Sequence, residues 1–167
     1  MVSNIHSRTL PISADKAGAL IDSLASKSDK LWPRKTWPPM KFDRPLSVGA
    51  TGGHGPIRYF VSSYEPGQLV RFTFTAPKGF NGTHEFKLTS DSPTSCTLTH
   101  LLEMNTTGLA CVRWPLFIRP LHDALIEDAL DLAEQFADVE KPTKSVWSPW
   151  VQCLRLLFRN APRRGPS

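Results

Sequence analysis

The chain has 167 residues, of which 40% are hydrophobic and 21% charged, with three cysteines and a formal net charge of +5. That is enough for one domain with a real core, and no apolar run reaches the 18 or more residues of a membrane span. Residues 1–137 carry 14 Lys/Arg against 13 Asp/Glu and residues 138–167 carry six against two. The basic character therefore lives in the tail, and the body lacks the basic, aromatic-studded stripe of a nucleic-acid partner.

In chain order, Val2–Leu10 alternates weakly and reads as a strand. Ser13 caps a helix in which Ala17, Leu20, Ile21 and Leu24 recur at helical spacing. Residues 28–45 are rich in Trp and Pro, which reads as an ordered loop. Leu46–Thr51 is expected to be a short strand and Gly52-Gly53-His54-Gly55 a turn. Strands Pro56–Tyr64 and Leu69–Ala76 follow around a turn at Glu65–Gln68, and two more make a hairpin, GTHEFKLTS and CTLTHLLEM. A five-residue turn at Ser90–Thr94 would set Leu88 against Cys96, Phe86 against Leu98 and His84 against His100. Both imidazoles would then stand side by side on the apolar face.

Residues 113–137 form the longest helical pattern, with Pro115 in its first turn and Pro120 expected to kink or split it. Phe117, Ile118, Leu121, Leu125, Leu132 and Phe136 share one face, and Asp123, Glu127, Asp131 and Glu134 the opposite one. Asp128 falls among the leucines of the apolar face, where a carboxylate needs a partner. A histidine, Arg58 or Arg71 is available for that role. His122 sits at the margin, as a cap or packing residue. In the tail, Trp147, Val151, Leu154 and Phe158 recur at helical spacing with Trp150 and Leu157 alongside. A short amphipathic helix is expected over about 150–160, and Arg155, Arg159, Arg163 and Arg164 supply the tail's positive charge. Nothing in the first residues reads as a signal peptide. The scattered Cys96, Cys111 and Cys153 suggest a reducing cytoplasm and form no metal-ligand spacing.

The stretches GPIRYFVSSYEPGQLVRFTF (55–74), GTHEFKLTS (82–90), CTLTHLLEM (96–104) and WPLFIRPLHDALIEDALDLAE (114–134), in this order, resemble the START-like (SRPBCC) superfamily. That superfamily includes birch-pollen-allergen-like and polyketide cyclase/dehydrase-like proteins. The resemblance covers residues 2–137 and leaves 138–167 as an appended tail. It implies an α+β helix-grip fold, in which a curved antiparallel sheet wraps the long helix around a cavity for an apolar or aromatic small molecule. Tyr59, Val61, Phe72, Phe74, Phe86, Leu98, Leu102 and Met104 would line that cavity from the sheet, and Phe117, Leu121 and Leu125 from the helix. Trp32, Trp37 and Met40 would stand at its entrance.

His84 and His100 would bind a ligand oxygen or, with Asp128, move protons as one neutral and one cationic imidazole. No cofactor is implied, and a metal would need Asp128 beside the two histidines. Three functions follow as expectations: binding of a hydrophobic small molecule, a cyclase- or dehydratase-type enzyme, and docking through 147–160 onto a membrane, the body or a second copy.

Overall fold

The structure, a computed structural model, describes residues 1–159. Of the basic and aromatic tail positions named above, the side chains of Phe158 and Arg159 and all of Arg163 and Arg164 lie outside the described residues. Seven strands form one antiparallel sheet: β1 Val2–Leu10, β2 Lys41–Phe42, β3 Thr51–His54, β4 Ile57–Glu65, β5 Leu69–Ala76, β6 Phe80–Ser92 and β7 Ser95–Thr106. Their order is β1-β7-β6-β5-β4-β3-β2, so the meander β2 to β7 is sequential and β1 adds beside β7. The sheet is curved and not closed. Bulges between Arg58 and Tyr59 and between Val61 and Ser63 bend β4.

The strand expected at Leu46–Thr51 lies further on, and Gly52, Gly53 and His54 belong to it rather than to a turn. The glycines are there because the ladder is too tight for side chains. A Cβ on Gly52 would stand 2.0 Å from the Lys41 carbonyl oxygen, and one on Gly53 2.0 Å from that of Ile57. The β6–β7 register also differs from expectation. His84 faces Leu102, Phe86 faces His100 and Leu88 faces Leu98. The strands run on to Ser92 and Ser95 around Pro93 and Thr94, with an irregularity between Ser90 and Ser92. The shift is by two residues, so every side chain keeps its expected face.

Helix α1 (Ala14–Asp22) begins at Ser13, whose Oγ accepts from the Lys16 N–H. It packs on β6 and β7 and abuts the β4–β5 turn, where Asp22 Oδ1 accepts from the Tyr64 hydroxyl at 2.8 Å and the Gly67 N–H at 2.7 Å. The approach is close enough that a Cβ on Gly18 would stand 2.7 Å from Gly67 Cα. Gly18→Ala is therefore expected to cost ~1–2 kcal/mol, because overpacking exceeds the gain in helix propensity. Urea unfolding would read this as a lower midpoint at unchanged slope.

The C-terminal helical stretch starts three residues before the expected segment, as α2 (Ala110–Arg113). It widens into a π-helical turn (Trp114–Ile118) and continues as α3 (Arg119–Phe136). The widening follows from the prolines. Pro120 has no N–H for the Leu116 carbonyl. That carbonyl instead accepts the Trp150 indole N–H at 2.8 Å, from helix α4 (Pro149–Arg159).

The apolar side of α3 is centred on Leu125, Ile126, Ala129, Leu130 and Ala133. Its acidic side was expected to oppose the core, yet Asp131 and Glu134 are buried. Two elements cover that side. The inward row of β1, Asn4, His6 and Arg8, meets Asp123 and Glu127. The strap after α3 donates to the rest: Ser145 N–H and Oγ to Asp131 at 2.7 and 3.0 Å, and Thr143 N–H and Oγ1 to Glu134 at 2.5 and 3.1 Å. No helix among the described residues is long and apolar enough to cross a membrane.

Candidate functional site: a hollow lined with imidazoles

A cavity of about 950 Å³ lies between the sheet and α3. Of the residues expected to line it, Phe74, His84, His100, Leu102, Leu121, Leu125, Trp32 and Trp37 do so. Phe80, Trp114, Ile118 and Ile126 complete the apolar wall, and Thr36, Pro38 and Arg155 lie on the side of the Trp-rich loop and α4. Tyr59, Val61, Phe72, Phe86, Leu98 and Met104 are placed in solid core instead. Alternation assigns a side chain to a face but not to a filled or an open part of it. Here α1 supplies Leu20 and Ile21, and the turn after it Leu24, to the same packed cluster as Phe86 and Leu98. Phe42 fills the space beside Tyr59 and Phe72, with ring centroids 5.9 and 5.8 Å away. Met40 is likewise buried in that cluster. Met104 packs with Phe80, Leu102, Ala110 and Trp114 in a second cluster. Phe117 lies against Trp150 rather than in the cavity wall, centroids 6.3 Å apart.

Four of the chain's five histidines line the hollow: His54, His84, His100 and His122. His84 and His100 are diagonal neighbours on the sheet, centroids 5.6 Å apart, and His122 of α3 comes within 5.0 Å of His100. Aromatic rings enclose them. His84 stacks on Phe74 at 4.9 Å and meets the edge of Tyr59 at 4.8 Å, and His100 meets Phe86 at 4.8 Å. His54 contacts Trp32, centroids 4.8 Å apart, and its Nδ1 shares a 3.0 Å hydrogen bond with the Tyr59 hydroxyl.

Burial is the main influence on all four. It pushes His84 and His100 well below the ordinary imidazole value, His54 down to about 3, and His122 down against the pull of Asp123. The expected pairing of one neutral and one cationic imidazole is replaced by two neutral rings, since both His84 and His100 are desolvated. His84 Nε2, His100 Nδ1 and His122 Nε2 are buried with no hydrogen-bond partner among the described residues. Unsatisfied buried polar atoms are uncommon and costly, and each is a place for a ligand oxygen or an ordered water.

Asp128 does not join these imidazoles. Its carboxylate accepts the indole N–H of Trp37 at 2.7 Å and that of Trp147 at 3.1 Å. The Arg155 guanidinium lies over both indoles, 4.1 Å from the Trp37 ring and 4.3 Å from the Trp147 ring, and donates to the Thr36 carbonyl. Arg58 serves Gly55 and Ile57 carbonyls, and Arg71 pairs with Glu85. The tail is thus clamped to the body through Asp128, with Val151 and Leu154 of α4 buried. The Trp32 indole is bonded to the Pro38 carbonyl at 2.9 Å, and Asp29 accepts the N–H groups of Ala25, Leu31 and Trp32, so the Trp/Pro loop is well tied down.

Sequence reading missed His54, because a Gly-Gly-His-Gly string looks like a turn. It missed His6 because β1 alternates only weakly. The signal was the inward row Asn4-x-His6-x-Arg8 facing an acidic helix side with matching residues. His6 Nδ1 bonds Glu127 at 2.6 Å and its Nε2 lies 3.3 Å from Asp123. The Asp123 bond leads the influences that hold the His6 pKa above its ordinary value, against desolvation.

No family model and no curated protein matches the chain. Solved structures do. A Thermobifida fusca protein aligns with TM-score 0.66 at 14% identity, over 87% of this chain and 100% of its own. Norcoclaurine synthase from Thalictrum flavum, solved with a transition-state analogue, aligns with TM-score 0.60 at 14% identity, over 83% and 96%. The di-domain ARO/CYC StfQ of the steffimycin biosynthetic pathway aligns with TM-score 0.61 at 15% identity, over 83% of this chain and 51% of its own. With a seven-strand curved sheet gripping a long C-terminal helix around a hollow, the chain has the helix-grip fold of the START-like (SRPBCC) superfamily.

Proposed function

We propose that this protein binds an apolar, oxygen-bearing aromatic small molecule of more than one ring in the cavity. The observation that carries this reading is the set of three partnerless, buried imidazole nitrogens on histidines that line an otherwise greasy hollow. The volume lies at the upper end of the range for sites of drug-sized ligands, and apolar walls with a few converging polar atoms are their usual make-up. Neutral imidazoles suit a hydroxyl or carbonyl oxygen, because each ring offers one donor and one acceptor nitrogen. Neutral imidazoles do not themselves supply the positive charge that a buried carboxylate needs. The Arg155 guanidinium is stacked on two indoles and donates to the Thr36 carbonyl, where it shapes the loop. In this reading the tail completes the wall rather than serving a membrane or a second copy. The unpaired cysteines accord with a reducing compartment.

The test is a comparison of 2-naphthol with naphthalene by fluorescence titration. Naphthol is expected to bind about tenfold more tightly, the worth of one net hydrogen bond, and His100→Phe should erase that difference while leaving naphthalene binding in place. Equal affinities in the unmodified protein would count against recognition by imidazole.

A cyclase-type reading draws on the ARO/CYC neighbour and on the two cavity imidazoles, which burial makes weak bases, so a bound chain must raise their basicity by its own polar contacts. In it His84 and His100 take protons from a bound chain that the wall holds folded. Asp128 has no part, since its carboxylate is occupied by two indoles. Turnover that collapses in His84→Gln with naphthol affinity retained would select this reading over simple binding.

A further inference from the structure

Behind the cavity wall, where β1 crosses α3, His6, His122 and Asp123 bring three ligand atoms within 4.8 Å of one another. We propose that these residues form a binding site for a divalent transition cation of the zinc type, held between the sheet and α3. His6 Nε2 and His122 Nδ1 stand 3.3 and 3.5 Å from the same oxygen, Asp123 Oδ1. Donors on a tetrahedral zinc at about 2.0–2.1 Å are separated by about 3.3–3.5 Å, so both spacings already fit.

Two further features are those of a built site. His6 Nδ1 is 2.6 Å from Glu127 Oε1, the carboxylate–histidine arrangement that puts the proton on Nδ1 and leaves Nε2 as a ligand. Asn4 Nδ2 donates to Asp123 Oδ1 at 3.0 Å and orients the carboxylate. The local charge admits a cation. Asp123 and Glu127 face Arg8, which is 2.5 Å from Glu127, and the more exposed Arg119, 3.6 Å from Asp123.

The site would also act on the cavity. His122 lines it and has a partnerless Nε2. Metal on Nδ1 fixes the remaining proton on Nε2, which becomes a donor at the wall. Spacing in the sequence could not show the site, because its ligands lie 116 residues apart along the chain (His6 to His122). The earlier alternative, a metal between His84, His100 and Asp128, lacks its carboxylate.

The experiment uses the full chain, stripped with EDTA and titrated with zinc by calorimetry and with cobalt(II) by visible absorption. One zinc per chain is expected, with cobalt bands of four-coordinate intensity that zinc abolishes. His6→Gln and Asp123→Asn should remove binding, and Glu127→Gln should weaken it about 10–100-fold. If the first two variants do not fold, imidazole ¹⁵N spectra of the unmodified protein give the answer. Zinc-dependent shifts at His6 and His122 support the site, and shifts confined to His54, His84 or His100 overturn it. Absence of stoichiometric zinc, or affinity unchanged in Asp123→Asn, also overturns it. Naphthol binding to the stripped protein is a separate measurement, so failure of the metal site and failure of the cavity reading are distinguishable.

Discussion

Lowering the pH from 6.5 to 5.5 is expected to remove about 3 kcal/mol of stability, much of what a domain of this size possesses. His54, His84 and His100 are held neutral by burial, with pKa values pushed down in the folded state. In the unfolded chain each returns to the ordinary value of 6.5. Below that pH the unfolded state binds protons that the folded state refuses, so stability falls as pH falls. The loss is ~1 kcal/mol per histidine over this interval and approaches ~1.4 kcal/mol per pH unit well below 6.5. His6 has the opposite sign, because its folded pKa is raised. Its contribution is full below 6.5 and is lost as pH rises through the folded value. One such group offsets only part of three. Asp123 is held well below the carboxylate range by hydrogen bonds from His122 and His6, despite desolvation, and its contribution survives until far lower pH. Urea midpoints at pH 7.5, 6.5 and 5.5 check the prediction, and His100→Leu should reduce the acid slope by about a third. Midpoints level across this range would mean that the imidazoles are hydrated.

Replacing Asp128 by Ala is expected to cost about 3 kcal/mol and to loosen both the loop and the tail. Two indole donors lose a charged acceptor, and hydrogen bonds to charged groups are worth ~1.5–3 kcal/mol each. Trp37 is only 7% exposed, so water cannot readily replace that partner. The Arg155 guanidinium stacked on both indoles retains part of the clamp, which keeps the loss below the sum of two bonds. Because Trp37 lines the cavity and Arg155 sits beside it, naphthalene affinity should fall as well. Trp37→Phe keeps the ring and removes one donor, and should cost about half as much. Urea unfolding combined with the probe titration reads both effects. An Asp128→Ala protein as stable as the unmodified one would show that the tail docks by apolar contact alone.

The faces of the strands were legible in the sequence because alternation has a period of two. The β6–β7 register was misjudged by two residues, and the error left His84 and His100 on the inner face all the same. What alternation could not separate was wall from core. Phe74 and Phe72 lie on one strand and one face, yet only Phe74 meets the hollow, because Phe42 and Tyr59 crowd against Phe72. That division depends on where α1 and the Trp/Pro loop come to rest, which no local pattern encodes. Asp128 was recognisable as a carboxylate in need of a partner, but its donors lie 91 and 19 residues away and are indoles rather than cations. The acidic side of α3 looked solvent-facing because its covering was spread over β1 and the strap. Only matching an inward Asn-x-His-x-Arg row to that side would have revealed it.

Long-range ¹H–¹⁵N spectra of the five imidazoles at pH 7, recorded with and without 2-naphthol, test the central claim most directly. Neutral tautomers are expected at His84 and His100, with the naphthol hydroxyl shifting the partnerless nitrogen of at least one of them. Cationic rings at these positions, or nitrogens indifferent to a saturating probe, would contradict an oxygen-binding hollow.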